Sequence, residues 1–341
     1  MRYYLGIDSG GTKTVYLLAS EDGQIVYLHK GSGYARMRDS SAAIADKIAR
    51  NLDYCLKHAS LDLTDIAGVG IGLPFFGELA QKDAEIVAAL SARYPTIAWH
   101  IVNDSEVAWV GSLAGKPGIN VVAGTGSIVF GGNEAGQVAR AGGWAPFFSD
   151  EGSCYWLGRK TMELFSQQAD GRLPRGPLYD LVRSEFALER DFDFIELMER
   201  DYIPYRDKVA RLQELHERAA VAGDESALAL YPESVKELIR AIEAVARQLG
   251  FLDAPFEVSY SGGLFKSSTG QAGARIKKTH LLEPLAARLK ALGATLVTPL
   301  LDPHQGALLC AMRGADPEVR ARATRAMLGA AAVARGVDDG K

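Results

Sequence analysis

The sequence lacks the features of a disulfide-rich, metal-cluster or membrane protein. Its 341 residues include only 3 cysteines, Cys55, Cys154 and Cys310, which lie far apart and form no CxxC pair. An odd number of distant cysteines favours reduced thiols over a disulfide framework, a zinc site or an iron–sulfur cluster. No apolar run reaches the ~18 residues that a membrane span requires. No signal peptide precedes the first predicted strand, so we expect a cytoplasmic protein without a membrane partner.

The sequence also has no excess of positively charged residues. The chain carries 38 Lys and Arg against 42 Asp and Glu, for a formal net charge of −4. A mildly acidic chain is a poor binder of phosphate backbones, so we expect no nucleic-acid partner. What the sequence has in excess is glycine, with 36 residues that cluster in short motifs. Its length predicts roughly two domains.

The order of predicted elements repeats along the chain. Three strands over residues 3–30 form a meander, and helices and strands alternate after it up to residue 113. A second three-strand meander is predicted at residues 120–140. This repeat predicts a duplicated α/β architecture that binds its ligands in a cleft between the halves. We place an N-terminal domain at residues 1–115, a C-terminal domain at 116–315 with a helical insertion at about 171–254, and a C-terminal helix and tail at 316–341.

The strongest motif follows the first strand and reads Gly6-Ile7-Asp8-Ser9-Gly10-Gly11-Thr12-Lys13-Thr14. Glycines let backbone N–H groups approach an anion, and the hydroxyls and the lysine complete a phosphate cradle. Asp8 faces the same gap and can hold Mg²⁺ through water. The motif is not a Walker A loop, because a strand rather than a helix follows it. The alternative is a simple hairpin turn in which Asp8 and Thr12 satisfy backbone groups.

Two more glycine motifs follow predicted strands. Gly124-Thr125-Gly126-Ser127 occupies the matching place in the second half, so the two loops together could clamp the phosphates of a nucleotide. Tyr260-Ser261-Gly262-Gly263-Leu264 ends an apolar strand, a place that suits nucleoside or phosphate contact. Taken alone, a Gly-Gly pair after a strand is more often just a turn.

Two acids stand directly before predicted helices, Asp104 and Asp150. The structural alternative for each is a helix N-cap, which is a common use of Asp. Gly142-Gly143-Trp144 lies just before Asp150, and a glycine pair followed by an aromatic residue can shape the wall of a ligand site.

Taken in order, these motifs and Gln305-Gly306-Ala307 resemble the BadF/BadG/BcrA/BcrD ATPase family in its N-acetylglucosamine kinase-like branch. The wider group is the acetate and sugar kinase/Hsp70/actin superfamily. The resemblance implies two actin-like ATPase (ribonuclease H-like) domains, each a mixed five-stranded sheet with helices. It also implies an ATP-dependent kinase that uses Mg²⁺ and phosphorylates an amino sugar, with N-acetylglucosamine and its 6-hydroxyl as first choice.

The resemblance also assigns roles to residues. Asp104 would be the catalytic base and Asp8 would lie near the metal. The predicted nucleotide-binding residues are Gly10, Gly11, Thr12, Lys13, Thr14, Thr125, Gly126, Ser261, Gly262 and Gly263. The predicted sugar-binding residues are Ser127, Gly143, Trp144 and Asp150. The expected partners are therefore ATP and a small sugar, and a homodimer is left open.

Other readings stay open at this point. The loop over residues 31–38 lacks the asparagine with which N-acetylglucosamine kinases bind sugar hydroxyls. Arg36 or Arg38 could instead meet a carboxylate, as on N-acetylmuramic acid, or both could be solvated.

A kinase for another hexose is a further alternative. Another alternative is a family ATPase that activates a dehydratase, although such activators carry cysteines that bind an iron–sulfur cluster. A sugar-sensing regulator is also possible in principle, although the sequence shows no helix-turn-helix. Gly68-Val69-Gly70-Ile71-Gly72 alternates as in dehydrogenases but lacks the helix of that fingerprint.

Overall fold

The computed structural model describes residues 1–11, 13–34 and 39–338, with side chains to residue 334. The predictions for Thr12, Arg36 and Arg38 therefore lie outside the described residues. None of the helices in the described part of the chain is long and apolar enough to cross a membrane.

The chain forms two compact units, one of residues 1–116 and 298–341 and the other of residues 117–297. Each unit contains one five-stranded sheet with both parallel and antiparallel pairs. The predicted duplicated α/β fold is confirmed.

The first unit opens with five strands and three helices. These are β1 (Tyr3–Ser9), β2 (Lys13–Ser20), β3 (Ile25–Ser32), α1 (Ser41–Ala59), a 3₁₀ turn (Leu63–Asp65), β4 (Ile66–Leu73), α2 (Ala80–Arg93), β5 (Ala98–Asn103) and α3 (Asp104–Ser112). The strand order is β3-β2-β1-β4-β5, in which β1, β4 and β5 run parallel. The helical spacing of Ile44, Ile48 and Leu52 predicts one apolar face of α1, and all three side chains are buried in the core.

The second unit has the same arrangement with a helical insertion. Its elements are β6 (Gly118–Ala123), β7 (Ser127–Gly132), β8 (Val138–Gly142), α4 (Cys154–Ala169), α5 (Pro177–Glu185), α6 (Asp193–Asp201), α7 (Arg206–Val221), α8 (Glu225–Leu249), β9 (Phe256–Ser261), a 3₁₀ turn (Gly263–Phe265), α9 (Gly270–Lys277), a π-helical turn (Lys278–Leu282), α10 (Glu283–Ala291) and β10 (Ala294–Val297). The strand order, β10-β9-β6-β7-β8, repeats that of the first sheet, with β6 in the place of β1.

One helix boundary differs clearly from the sequence prediction. Pro232 predicts the first turn of a helix, but α8 begins at Glu225 and carries Pro232 in its interior. The start is fixed by Asp224, whose carboxylate accepts the N–H of Ala227 at 2.9 Å. An N-cap of this kind outweighs the signal of a proline, which a long buried helix can accommodate.

Two helices return the chain to the first unit, α11 (Pro303–Ala311) and α12 (Pro317–Asp338). The sequence analysis assigned residues 298–315 to the second domain, whereas the structure groups them with the first unit. The reason is the close packing of α11 on β1, β4 and α3. A Cβ on Gly70 would lie 2.0 Å from the carbonyl oxygen of Ala307, so this contact is backbone against backbone.

The same contact explains the alternating glycines of β4. Gly68 and Gly70 share one face of the strand, and a Cβ on either would collide with the backbone of α11. On α11 itself, a Cβ on Gly306 would lie 2.0 Å from the carbonyl oxygen of Val107 in α3. The GxGxG pattern in this chain is therefore a packing pattern, which allows a helix to lie directly on the sheet.

Candidate functional site

In the first unit, two acids lie at the carboxyl ends of β1 and β5, two parallel strands that are separated by β4. Asp8 is the second-to-last residue of β1 and pairs in register with Gly72 of β4. Gly72 in turn lies close to Asp104, since a Cβ built on it would be 3.2 Å from the Asp104 Cα. Ligands of open α/β sheets bind outside the carboxyl ends of the strands, so this is the expected place for chemistry.

The environment of Asp8 concentrates negative charge. Burial is the main cause that raises the pKa of its carboxyl group to about 7; the nearby carboxylates of Asp104 and Asp302 also raise this pKa, and Lys13 lowers it. Asp302 is the N-cap of α11. Its position at the start of that helix brings it to the same edge of the sheet as Asp8.

Asp104 does not serve as the cap of its helix. The N-cap of α3 is Asn103, whose side-chain oxygen accepts the N–H of Ser105 at 3.0 Å and its hydroxyl at 2.7 Å. The Asn103 amide also donates to the carbonyl of Phe76 at 3.1 Å. Asp104 is the first residue of α3, held at the helix start by its neighbour, so the N-cap alternative for Asp104 is wrong.

The turn between β1 and β2 is built mainly by backbone contacts. The N–H of Gly10 donates to the carbonyl of Lys13 at 2.8 Å, and the Lys13 side chain is exposed. Thr14 has a structural role instead: its buried hydroxyl donates to the carbonyl of Ser32, in β3, at 3.0 Å. Of the described residues in this turn, Gly11 and Lys13 are exposed, whereas the N–H and the carbonyl of Gly10 both have partners within the protein.

In the second unit, the two glycine motifs lie against each other. They follow β6 and β9, which pair in parallel with Val122 opposite Ser261. Gly262 has a φ of 109°, and a Cβ on it would be 2.3 Å from the carbonyl oxygen of Ala123 and 2.8 Å from the nitrogen of Gly124. Only glycine fits there, and the loop over 124–127 and the Ser261–Gly263 segment form one continuous backbone surface.

The first turn of α4 holds the loop over 124–127 from below. The N–H groups of Cys154 and Tyr155 donate to the carbonyls of Gly124 and Thr125 at 3.0 and 3.2 Å. Ser153 caps this helix by accepting the N–H of Trp156 at 3.1 Å. Two N–H groups that have no partner within the helix therefore bind the carbonyls of the loop and fix its backbone. The side chain of Thr125 remains exposed.

Asp150 lies beneath the same loop. Its side chain is 1% exposed, its φ is 66°, and its Oδ1 accepts the N–H of Ser127 at 3.1 Å. The other oxygen, Oδ2, pairs with the guanidinium of Arg206. Since Ser153 caps α4, the N-cap alternative for Asp150 is also wrong. A Cβ on Gly126 would lie 2.1 Å from Arg206 Nη2, so this glycine makes room for the ion pair.

Gly143 and Trp144 lie in the loop that leads to Asp150. Gly143 has a φ of 70°, a conformation that favours glycine. The Trp144 ring is 72% exposed, while its backbone N–H donates to the hydroxyl of Ser149 at 3.4 Å. The structure thus keeps this aromatic side chain at the surface, where it can meet a ligand.

The residues fit the cofactors that the sequence implies. Asp8, with the carboxylates of Asp104 and Asp302 near enough to raise its pKa, supplies oxygen donors of the kind that suits a hard cation such as Mg²⁺. Among the described residues, no three His, Cys, Asp or Glu side chains are placed to hold a metal ion by themselves. Phosphate and water oxygens would therefore have to complete the coordination. The glycine surfaces, where a Cβ would fill the space, fit phosphate oxygens.

The sequence analysis missed Arg206, Glu217 and Lys277. Glu217 and Lys277 form a buried ion pair at 2.9 Å, next to residues 266–269, which follow the Ser261–Gly263 segment along the chain. Arg206 is 56 residues from its partner Asp150 along the chain. A single sequence contains no local signal for such distant pairs.

Comparisons with known proteins agree with this arrangement. The chain is 26% identical over 274 residues to an N-acetylmuramic acid/N-acetylglucosamine kinase of Clostridium acetobutylicum, a match that covers 78% of this chain and 87% of the relative. It is 26% identical over 320 residues to an N-acetyl-D-glucosamine kinase of Dictyostelium discoideum, with 91% and 97% covered.

Solved structures show the same fold. A protein of Chromobacterium violaceum, provisionally assigned as an N-acetylglucosamine kinase, superposes with a TM-score of 0.67 at 25% identity, covering 91% of this chain and 99% of that one. A ROK family glucokinase of Streptomyces griseus, solved with glucose and AMPPNP, gives a TM-score of 0.53 at 16% identity, with 91% and 98% covered.

A family model also matches most of the chain. The model of the BadF/BadG/BcrA/BcrD ATPase family matches residues 5–311, a span that includes every motif described above. The chain therefore belongs to the BadF/BadG/BcrA/BcrD ATPase family.

Proposed function

We propose that the protein is an ATP-dependent kinase that transfers the γ-phosphoryl group of ATP to the 6-hydroxyl of an amino sugar, with N-acetylglucosamine as the best candidate. The names of the two curated relatives, both kinases of N-acetylated amino sugars, support the substrate class. The relative that also takes N-acetylmuramic acid supports that sugar as the second candidate.

The observation that carries the proposal is the position of Asp104. Its helix is capped by Asn103, so the Asp104 carboxylate is not needed for the cap, and it stands beside Asp8 at the carboxyl edge of the sheet. In the proposed step, the Asp104 carboxylate takes the proton of the sugar hydroxyl. The hydroxyl oxygen then forms a bond to the γ-phosphorus, and the bond from that phosphorus to the bridging oxygen of ADP breaks.

The other motif residues orient the phosphates. The backbone N–H of Gly11 and the exposed ammonium of Lys13 offer positive charge in the first unit. In the second unit, the loop over 124–127 exposes the Thr125 side chain, and the Ser261–Gly263 segment lies directly beside it. When bound, Mg²⁺ near Asp8 would supply charge neutralisation for the phosphates.

A coupled assay of ADP release tests the proposal. The purified protein is given ATP, Mg²⁺ and one sugar at a time: N-acetylglucosamine, glucosamine, glucose or N-acetylmuramic acid. We expect N-acetylglucosamine to give the highest kcat/KM. If ADP is released equally fast with and without every sugar, the protein is an ATPase and the proposed function is wrong.

The same panel of sugars also tests whether Arg36 or Arg38, in the loop over residues 31–38, binds the substrate. If N-acetylmuramic acid is preferred and Arg36→Ala or Arg38→Ala removes that preference, the acidic sugar is the substrate and one arginine binds its carboxylate. If N-acetylmuramic acid is not used and neither substitution changes the kinetics, neither arginine binds a substrate carboxylate and N-acetylglucosamine remains the candidate.

A further inference from the structure

Helix α7 of the insertion carries one charged side chain to Asp150, beside the loop over 124–127, and another to residues 267–269, which follow the Ser261–Gly263 segment. Arg206 stands at its first residue and Glu217 three turns later, about 16 Å along the axis. The helix packs tightly on α4, since a Cβ on Gly158 would lie 1.9 Å from the carbonyl oxygen of Val209. α7 is therefore held rigidly against the helix whose first turn fixes the loop over 124–127.

At the start of α7, Arg206 acts on that loop through Asp150. The guanidinium pairs with one oxygen of a carboxylate that is otherwise buried, and the second oxygen accepts the Ser127 N–H at 3.1 Å. The missing side chain of Gly126 leaves the space that the Arg206 guanidinium occupies. Without the arginine, Asp150 would be a buried carboxylate with no positive partner, which is unfavourable.

Near the end of α7, Glu217 acts on the chain that follows Gly263. Its Oε1 accepts four hydrogen bonds, from the Ser267 hydroxyl at 2.7 Å, the Ser268 N–H at 2.9 Å, and the N–H and hydroxyl of Thr269 at 3.1 and 2.8 Å. A single carboxylate oxygen therefore organises three consecutive residues. Gly273 makes this possible, because a Cβ there would be 2.0 Å from the same oxygen.

Lys277 completes this cluster from α9. Its ammonium lies 2.9 Å from the second carboxylate oxygen of Glu217, donates to Gln213 Oε1 at 3.4 Å and also donates to the carbonyl of Lys266. Both charged side chains are almost fully buried, at 2% and 0% exposed. Burial alone would raise the pKa of Glu217, but hydrogen bonds from Lys277, Ser267 and Thr269 outweigh it and lower the pKa to about 2.

We infer that α7 is the helix that positions both nucleotide-facing loops: Arg206 sets the loop over 124–127 through Asp150, and Glu217 with Lys277 sets residues 266–269 behind Gly262 and Gly263. The inference rests on the proposed use of these loops to bind ATP. Arg206, Glu217 and Lys277 are positioning residues, since each acts on the loops through hydrogen bonds and ion pairs within the protein.

The inference predicts separable defects at the two ends of the helix. Arg206→Ala loosens the loop assigned to the phosphates, so kcat falls by about 10- to 100-fold, because misplacement of about 1 Å can cost 100-fold. Arg206→Lys keeps the charge without the forked geometry and recovers part of the rate. Glu217→Gln loosens the segment behind Gly263, so KM for ATP rises about tenfold or more while KM for the sugar stays unchanged.

Folding must be separated from positioning. Glu217→Gln leaves the Lys277 ammonium buried without its partner, which can destabilise the fold. The double variant Glu217→Gln/Lys277→Met removes both charges and is therefore tested in parallel. Arg211→Ala and Glu214→Gln are matched controls, because both residues are exposed on α7 and lie outside the two clusters. Thermal melting confirms that every variant is folded before kinetics are measured.

Calorimetric titration with the non-hydrolysable analogue AMPPNP, in the absence of sugar, separates this inference from the proposed function. We expect the wild type and both controls to bind AMPPNP alike, and the folded Glu217→Gln or double variant to bind it about tenfold or more weakly. Wild-type affinity in these folded variants, together with wild-type kcat in Arg206→Ala, would overturn the inference. So would a wild type that binds no AMPPNP. A wild type that binds AMPPNP but phosphorylates no sugar would refute only the proposed function.

Discussion

The two units have the same sheet topology but fix their loops by different means. In the first unit, glycines of β1, β4, α3 and α11 bring backbones into direct contact, and Asp8 and Asp104 stand at the edge of this packing. In the second unit, charged side chains reach from the helical insertion to the loops, as in the Asp150–Arg206 and Glu217–Lys277 pairs. One fold can thus hold a ligand loop by close packing or by electrostatics.

This difference determines what each unit tolerates. Backbone contact leaves no space for an added methyl group, so the first unit is sensitive to small-to-large changes on the α11 interface. Buried charges depend on protonation and on partners, so the second unit is sensitive to pH and to the removal of one charge. The following predictions test the two sides of this contrast.

The largest expected effect is on catalysis in the first unit. Asp104→Asn keeps the shape of the side chain and its place at the start of α3, but the amide cannot take a proton. We expect the rate of phosphoryl transfer to fall by about 10²–10⁴-fold while sugar binding persists, measured by ADP release and by calorimetry. Near wild-type turnover of a folded variant would mean that Asp104 is not the base.

The next effect is a dependence of stability on pH that belongs to the second unit. Burial lowers the pKa of His216 from 6.5 to about 4, in a site lined by Tyr231, Lys277, Asp224 and Glu217. Between those two pH values the unfolded chain binds more protons than the folded one. The free energy of unfolding should therefore fall as the pH drops from 6.5 to 4, by about 3 kcal/mol in total.

Denaturant unfolding at a series of pH values measures this effect. His216→Phe removes the titrating ring and should flatten the profile between pH 6.5 and 4, whereas His58→Gln, at an exposed position, should not. Glu217, whose pKa is lowered to about 2, adds to the loss only below about pH 4.5. An unchanged slope in His216→Phe would refute the assignment.

The smallest effect concerns the glycine packing of the first unit. Gly306→Ala places a methyl group 2.0 Å from the Val107 carbonyl oxygen, and α3 and α11 must move apart. We expect a loss of roughly 1–3 kcal/mol in the free energy of unfolding, measured with urea. Gly314→Ala, where no atom lies within 4 Å of the added Cβ, is the control and should change stability little. Equal stability of the two variants would contradict the close packing.

Sequence reasoning found the strands and the motif loops because both have local signals. Alternating and continuous apolar runs locate β1 and β4, and glycines next to acids or hydroxyls mark the loops at Asp8 and Gly124. The return of α11 to the first unit has no such signal, because Gly70 and the Ala307 backbone that packs on it are over 200 residues apart in sequence and meet only in the folded chain.

Polar roles were harder to predict than positions. Asn103 and Asp104 are adjacent and both suit an N-cap, and only the hydrogen bonds to Ser105 show which one takes that role. The ion pairs of Arg206 and Glu217 join distant segments whose meeting depends on how α7 packs on α4 and α9. No local pattern in one sequence specifies that packing.

Identification of the phosphorylated product tests the central claim most directly. The wild-type protein is incubated with ATP, Mg²⁺ and N-acetylglucosamine, and the product is analysed by mass spectrometry and ³¹P NMR. The account predicts a sugar monophosphate whose phosphorus couples to the two methylene protons of the 6-position, formed in equal amount to ADP. ADP together with inorganic phosphate, and no sugar phosphate from this or the other sugars of the panel, would contradict it.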